Sequence, residues 1–167
     1  MAREVRIGIV GFGTVGSGVV SCLLDNADVI DRRTGIRPVV AKIADLDLKK
    51  DRKISLPKGV LVNDGISIID ECDVIVELVG GIGFAKKLII EALQRGKPVV
   101  TANKALLAEH GEELFAVAEK SKSDIYYEAS VAGGIPIIKA LREGFVGNRI
   151  EEIHAILNGT CNFILSK

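Results

Sequence analysis

The sequence contains no tryptophan and few other aromatic residues, with two tyrosines and five phenylalanines among 167 residues. A buried core must therefore be built from Ile, Val, Leu and Ala, which is typical of parallel sheets covered on both faces. Apolar residues make up 48% of the chain, enough to form such a core without metals or disulfides. The length suits one domain, or one domain and the beginning of another.

Cysteine is also rare, and neither sign of charge is in excess. Cys22, Cys72 and Cys161 are too few and too widely spaced for a disulfide framework, which favours a reducing compartment. Because 22 basic residues balance 22 acidic ones, no bulk attraction to nucleic acid or to a membrane surface is expected. The best apolar run is interrupted by Glu77 and is too short to span a bilayer. These absences predict a soluble, cytoplasmic protein.

Strand-like and helix-like segments alternate along the chain. This alternation predicts an α/β fold of the Rossmann type, a doubly wound and mostly parallel sheet with helices on both faces. Strands are predicted at 5–10, 39–44, 60–62, 73–79, 98–101, 125–128 and 150–157, and helices at 14–26, 66–71, 84–95, 104–121 and 136–143. Residues 31–38, which read DRRTGIRP, and residues 46–59 are predicted to be loops.

A glycine-rich segment follows the first predicted strand and opens the first predicted helix. In such a loop the first glycine permits a tight turn, the second lets the backbone approach a pyrophosphate, and the third allows close helix packing. The helix start then offers free N–H groups to the phosphates. This position favours an NAD or NADP site over a merely structural turn, and the predicted contacts are Gly11, Phe12, Gly13, Thr14, Val15 and Gly16.

Acidic and basic residues compete after the second strand. Asp45 and Asp47 lie where a carboxylate would bind the ribose hydroxyls and repel a 2′-phosphate, which favours NAD. The residues that follow are basic and could instead attract that phosphate, although a solvated loop is the favoured interpretation of them: Lys49, Lys50, Arg52 and Lys53. The sequence therefore predicts NAD or NADP, with NAD favoured through Asp45.

Four later motifs are more specific than the glycine loop. They are E-L-V-G-G at 77–81, T-A-N-K at 101–104, E-A-S-V-A-G-G-I-P at 128–136 and N-G-T-C-N-F-I-L at 158–165. Together with the glycine loop they make the chain resemble homoserine dehydrogenase over its whole length. Phe84 stands where that family often has proline.

The resemblance implies an NAD(P)-dependent oxidoreductase that interconverts homoserine and aspartate semialdehyde, a small amino-acid substrate, and a homodimer in the full-length protein. It implies a dinucleotide-binding domain over 1–149 and the beginning of a substrate and dimerisation domain over 150–167. Because the family's acidic substrate-binding residues and its second catalytic lysine would lie further on, we expect this chain to bind dinucleotide without turnover.

Lys104 is the candidate catalytic residue. It follows a strand at the carboxyl edge of the sheet, where its ammonium could hold a substrate oxygen or transfer a proton, and it matches the family's active-site lysine. The alternative is a solvent-facing lysine at a helix start. Gly80 and Thr101, with Lys104, are expected to contact the cofactor. Asn103 in the same loop could, like Thr101, contact the nicotinamide ribose, or it could simply cap the helix. The resemblance assigns substrate contacts to Gly159 and Thr160.

A monovalent cation such as sodium is implied by the resemblance at one further turn. The ligands would be the Glu128 carboxylate and the backbone of Val131, Gly133 and Ile135. Oxygen ligands suit such an ion, and glycines let carbonyls turn inward. An ordinary glycine turn with a capped helix explains the same residues.

Two other functions remain open. Cys161 could be the nucleophile of a semialdehyde dehydrogenase, but no histidine base follows it and a buried, inert thiol is the simpler interpretation. Rapid alkylation of Cys161, prevented by NAD, would favour this enzyme. The chain could also be a stand-alone NAD-binding module or redox sensor, which the length of the reading frame would decide. His110 and His154 lack a recognisable partner and are not expected to be catalytic.

Overall fold

A computed structural model describes residues 3–155 of the chain. Its six strands form one sheet in the order β3-β2-β1-β4-β5-β6, and all five neighbouring pairs are parallel. This is the strand order of the Rossmann fold, so the predicted fold class is confirmed. The strands are β1 (Arg3–Val10), β2 (Ile36–Ala44), β3 (Leu61–Val62), β4 (Val74–Glu77), β5 (Val99–Thr101) and β6 (Ile125–Tyr126).

Helices cover both faces of the sheet. Successive strand residues such as Ile9 and Val10 belong to different core clusters, because side chains alternate between the two faces of a strand. One cluster includes Val20 of the first helix, and the other includes Leu88 and Leu114 of the second and third. The helices are α1 (Thr14–Thr34), α2 (Gly83–Gln94), α3 (Lys104–Ser121) and α4 (Ile137–Lys139), which continues as a π-helical turn over Ala140–Gly144.

The predicted loop over 31–38 was wrong. Helix α1 extends to Thr34 instead of ending near Asn26, and Gly35 ends it with a left-handed φ of 71° and an N–H donated to the Asp31 carbonyl. Glycine reaches this conformation without steric cost. The following Pro38 lies inside β2, in the part that pairs with β1 only. Strand β3 pairs with β2 further on, at Ile43 and Ala44. A proline is accepted on such an edge.

Most other elements agree with their predictions, although several strands are shorter than predicted. Residues 46–59 are a loop, α3 has the predicted bounds, and the predicted helix at 66–71 is a 3₁₀ turn at Ile69–Glu71. The predicted strand at 150–157 was wrong over its described part, since residues 150–155 have no regular structure. A strand requires a hydrogen-bonded neighbour, and no described segment pairs with these residues. No helix within residues 3–155 is long and apolar enough to cross a membrane.

Candidate functional site

The three glycines after β1 have different surroundings. Gly11 has a φ of 100°, and a Cβ there would lie 2.6 Å from the Leu78 carbonyl oxygen. A Cβ on Gly16 would collide with the Gly11 carbonyl oxygen, whereas a Cβ on Gly13 would meet no atom within 4 Å. The first and third glycines thus allow close packing, and the second leaves an open face beside the start of α1. No side chain caps this helix start, so its first N–H groups are available to an anion.

A cavity of about 700 Å³ opens beside this loop, at the carboxyl edge of the sheet. It lies between the ends of β1 and β4. The order of the strands along the sheet reverses between these two, and ligands bind at such a reversal point in folds of this kind. Phe84, Leu46 and the Asn63–Gly65 turn line it although the sequence did not indicate them. The full lining is Val10, Gly11, Gly13, Ala44, Asp45, Leu46, Asn63, Asp64, Gly65, Leu78, Val79, Gly80 and Phe84.

Asp45 lies at the end of β2, as predicted, but its carboxylate already has partners within the chain. Its Oδ2 accepts a hydrogen bond from the Phe12 backbone N–H at 2.6 Å. Its Oδ1 accepts one from the Asp47 N–H at 2.8 Å and lies 3.0 Å from the Arg52 guanidinium. Asp45 therefore holds the glycine loop in place, and its negative charge is paired.

Arg52 is the one residue of the basic loop that is not solvated. Its side chain is only 5% exposed. The guanidinium lies 4.6 Å above the Phe12 ring, and its Nε donates to the Phe12 carbonyl oxygen at 2.6 Å. Cation–π stacking of this kind suits arginine. Lys49, Lys50 and Lys53 are exposed, so for them the interpretation as a solvated basic loop holds.

A second cleft, of about 320 Å³, borders the larger cavity. The two share Leu78, Val79 and Gly80 as a common wall. Lys104 lines this second cleft as the exposed first residue of α3. The remaining lining residues are Val15, Ala102, Asn103 and Ala105. The structure thus places the predicted catalytic lysine, Gly80 and the glycine loop along two adjoining clefts, here together called the groove.

Behind this groove is a buried polar network. Glu77, at the end of β4, is fully buried; its Oε2 accepts the Thr101 hydroxyl at 2.5 Å and its Oε1 accepts the Val79 N–H at 2.9 Å. Burial raises the pKa of the Glu77 carboxyl, since a low dielectric disfavours the charge. Glu77 is therefore a buried acid with two hydrogen-bond partners. Thr101 is also fully buried, so its hydroxyl faces this network and its contact with a cofactor stays a prediction.

Asn103 caps helix α3, as one of its two interpretations proposed. Its Oδ1 accepts a hydrogen bond from the Leu106 N–H at 3.1 Å, and its Nδ2 donates to the Gly81 carbonyl oxygen at 2.7 Å. The cap therefore also ties the start of α3 to the loop after β4. Lys104 owes its position at the cleft to this cap.

Glu128, the predicted carboxylate ligand of a cation, caps helix α4 in this structure. The two Glu128 carboxylate oxygens accept the N–H groups of Ile138 and Lys139, at 2.9 and 2.8 Å. The Ile135 carbonyl oxygen accepts the Ile137 N–H at 2.9 Å. Both Glu128 oxygens and the Ile135 carbonyl thus already accept hydrogen bonds within the chain, and the cation site stays a prediction.

The remaining candidates lie elsewhere. Gly159, Thr160 and Cys161 are outside the described residues. His110 lies on α3 between Lys86 and Glu113, with its Nδ1 at 3.5 Å from the Lys86 ammonium and 3.7 Å from the Glu113 carboxylate. His154 is exposed and lies 3.0 Å from Glu152. Neither histidine lines either cleft.

Comparison with known families and proteins agrees with this geometry. The family model of the homoserine dehydrogenase NAD-binding domain matches residues 11–128, and the homoserine dehydrogenase family model matches residues 136–167. The homoserine dehydrogenase of Neisseria gonorrhoeae is 49% identical over 99% of this chain, and that of Bacillus subtilis is 45% identical over 99% of it. The chain spans 38% and 39% of the length of these two relatives.

Solved structures give the same result. A homoserine dehydrogenase from Thiobacillus denitrificans superposes with a TM-score of 0.86 at 45% identity, covering 98% of this chain and 38% of that one. A hyperthermophilic archaeal homoserine dehydrogenase in complex with NADPH superposes with a TM-score of 0.70 at 26% identity, covering 86% of this chain and 50% of that one. Because the NAD-binding domain model alone matches more than half of the sequence, the chain belongs to the homoserine dehydrogenase family.

Proposed function

We propose that this chain is the dinucleotide-binding part of an NAD(P)-dependent oxidoreductase that interconverts homoserine and aspartate semialdehyde. The observation that carries the proposal is the pair of adjoining clefts that extends from the larger cavity, past the glycine loop and Gly80, to Lys104. An extended dinucleotide needs one site for each of its halves and an anion site between them. Family membership supports the identity of the substrate.

Each half of the cofactor has a region that suits it. The larger cavity, lined by Phe84 and aliphatic side chains, suits the flat adenosine half. The uncapped start of α1 suits the pyrophosphate, because free N–H groups and the positive end of the helix dipole favour an anion. The cleft beside Lys104 then receives the nicotinamide half.

Oxidation of an alcohol to an aldehyde removes a hydride from carbon and a proton from the hydroxyl group. The bound nicotinamide supplies the hydride acceptor, or the donor in the reverse direction. Lys104, whose side chain is exposed at the cleft, binds the substrate oxygen. In the oxidation its neutral amine accepts the hydroxyl proton, and in the reduction its ammonium returns a proton to that oxygen. The cap formed by Asn103 fixes the start of the helix from which Lys104 extends.

Two measurements test this proposal. Calorimetric titration of this chain with NADH and NADPH is expected to show binding of at least one of them, and binding of neither would contradict it. In the full-length protein, Lys104→Met is expected to reduce turnover of homoserine by about 10²–10⁴-fold, the usual contribution of a general acid or base. Lys120→Met, an exposed lysine at the other end of α3, is the matched control and should leave turnover unchanged.

For cofactor choice, we propose a preference for NAD that is small. The Asp45 carboxylate would repel a 2′-phosphate, but the Arg52 guanidinium at 3.0 Å offsets its charge. Arg52→Gln should therefore widen the preference for NAD in paired titrations of the two cofactors. Tighter binding of NADP by the unaltered chain would contradict the preference. Loss of NADP affinity in Lys49→Gln would instead assign the 2′-phosphate to the exposed lysines.

Several finer expectations belong to the same proposal. We propose the division into a dinucleotide-binding domain over 1–149 and a second domain beginning at 150, a homodimer for the full-length protein, a cytoplasmic location, and substrate contacts by Gly159 and Thr160. The cation site at Glu128 is retained as a proposal without a part in the chemistry above. Calorimetric titration with sodium, compared between this chain and Glu128→Gln, tests it, since an unchanged heat would contradict a role for that carboxylate.

A further inference from the structure

Glu77 is a charged residue type buried where the sheet meets the groove. Its side chain is fully inaccessible to solvent, and its carboxylate oxygens are 2.5 Å from the Thr101 hydroxyl and 2.9 Å from the Val79 N–H. Burying a carboxyl group costs free energy unless it is fully hydrogen-bonded. An aliphatic residue would fill the same space between neighbouring strands at lower cost, so packing alone does not explain the acid.

The hydrogen bonds of Glu77 lead to the two loops that line the groove. One partner, Val79, belongs to the wall shared by both cavities. The other, Thr101, accepts the Asn103 N–H on its hydroxyl at 3.0 Å, and Asn103 in turn donates to the Gly81 carbonyl oxygen at 2.7 Å. The network therefore closes a ring from the end of β4, through the end of β5, and back to the loop after β4.

A third loop joins the same network. The Ser130 hydroxyl, in the turn that follows β6, donates to the Thr101 carbonyl oxygen at 3.0 Å. The ends of three neighbouring parallel strands are thus connected by side-chain hydrogen bonds at the edge where the cofactor is proposed to bind. A carboxylate can accept from two donors at once without donating, and the Val79 N–H and the Thr101 hydroxyl are two donors that converge on it.

From this geometry we infer that Glu77 is a positioning residue for the nicotinamide half of the site: it holds the loop at 78–81 and the loop at 101–104 at the separation that a nicotinamide and Lys104 require. The inference rests on the proposed function. It predicts that loss of the network weakens binding of the nicotinamide half and leaves the adenosine half, bound mainly by the larger cavity, nearly unchanged.

The experiment compares two ligands on this chain. NADH carries both halves, and ADP-ribose lacks the nicotinamide. In Glu77→Gln the amide nitrogen cannot accept, so either the Val79 N–H loses its acceptor or the Thr101 hydroxyl must turn to accept from the amide and no longer donates to a carboxylate. We expect the affinity for NADH to fall about tenfold or more, as is usual on losing a hydrogen bond to a charged group, and the affinity for ADP-ribose to change little. If NADPH is the better ligand, it and 2′-phospho-ADP-ribose replace this pair.

A second pair of variants makes the test independent of whether Glu77→Gln folds. Thr101→Val has nearly the same shape but lacks the hydroxyl, whereas Thr101→Ser keeps it. Since Thr101 is fully buried, both act through the network. We expect Thr101→Val to reproduce the selective loss of NADH affinity and Thr101→Ser to retain affinity, with circular dichroism confirming the fold of each.

The outcomes separate this inference from the proposed function. If the unaltered chain binds neither dinucleotide, the proposed function fails. If it binds NADH and the variants bind NADH equally well, or lose NADH and ADP-ribose to the same extent, Glu77 stabilises the fold without positioning the nicotinamide half and the inference is overturned.

Discussion

At the scale of single residues, the glycine loop contains two kinds of glycine that the motif alone does not distinguish. Gly13 has extended backbone angles, φ −79° and ψ −154°, and its missing side chain faces open space. Gly16 instead packs against the Gly11 carbonyl, so that any Cβ would collide with it. One position therefore reserves room for a ligand, and the other allows the chain to fold.

This difference predicts opposite results for two substitutions. Gly13→Val should leave the free energy of unfolding nearly unchanged and abolish dinucleotide binding, because the new side chain would occupy the space of the pyrophosphate. Gly16→Ala should lower the free energy of unfolding by about 1–3 kcal/mol or more, the usual cost of overpacking. Urea denaturation and calorimetry measure the two effects. Unimpaired binding by Gly13→Val would show that the loop is not the cofactor site.

Thiol reactivity is a second property of single residues. Cys72 is fully buried, and burial raises the pKa of its thiol to about 11, whereas Cys22 is exposed. Because the thiolate is the reactive form, iodoacetamide at about pH 8 should label Cys22 in the folded chain and Cys72 only after unfolding in urea. Mass spectrometry of the peptides distinguishes the sites. Labelling of Cys72 at the rate of Cys22 in the folded chain would contradict its burial.

At the scale of elements, the start of α3 depends on one side chain. Asn103→Ala removes the oxygen that accepts the Leu106 N–H and should lower the free energy of unfolding by about 1 kcal/mol, the typical value of an N-cap. Asn103→Ser keeps a side-chain oxygen that can accept the Leu106 N–H and loses only the donor to the Gly81 carbonyl, so most of the stability should remain. Equal destabilisation by the two variants in urea denaturation would show that the cap is not the important contact.

The end of β4 predicts a pH dependence. Burial raises the pKa of Glu77 above its ordinary value of 4.5, so the folded state binds this proton more tightly than the unfolded chain. The resulting stability is fully present below the ordinary pKa and is lost as pH rises through the raised pKa of the folded state. The free energy of unfolding of the unaltered chain, minus that of Glu77→Gln, should therefore decrease with rising pH above about 4.5. A difference that stays constant or increases would contradict this assignment.

At the scale of the whole molecule, cofactor binding and stability are linked. A ligand that binds only the folded state raises its stability by about 2.7 kcal/mol at a concentration of 100 times Kd. Thermal unfolding of this chain should therefore shift to higher temperature with NADH or NADPH, and the shift should be absent in Gly13→Val. An equal shift in the variant would place the binding elsewhere on the molecule.

The sequence by itself determined the features of this protein that depend on the order of segments along the chain. Short β-branched strands alternating with helices require crossovers, which produce a parallel sheet, and a glycine motif between the first strand and the first helix can lie only at the carboxyl edge of that sheet. The T-A-N-K motif similarly placed Lys104 at a helix start beside that edge. These inferences needed no knowledge of which distant residues meet.

The tertiary structure alone decided which partners the site residues have. Asp45 was predicted at the end of β2, but its pairing with Arg52 and with the Phe12 N–H, 33 positions away, depends on how the loop after β2 folds back. The Glu77–Thr101 contact spans 24 positions and exists because β4 and β5 are neighbours in the sheet. Periodicity indicates which residues are buried, whereas hydrogen-bond partners depend on distances of a few ångströms between strand ends, and only the folded chain sets these.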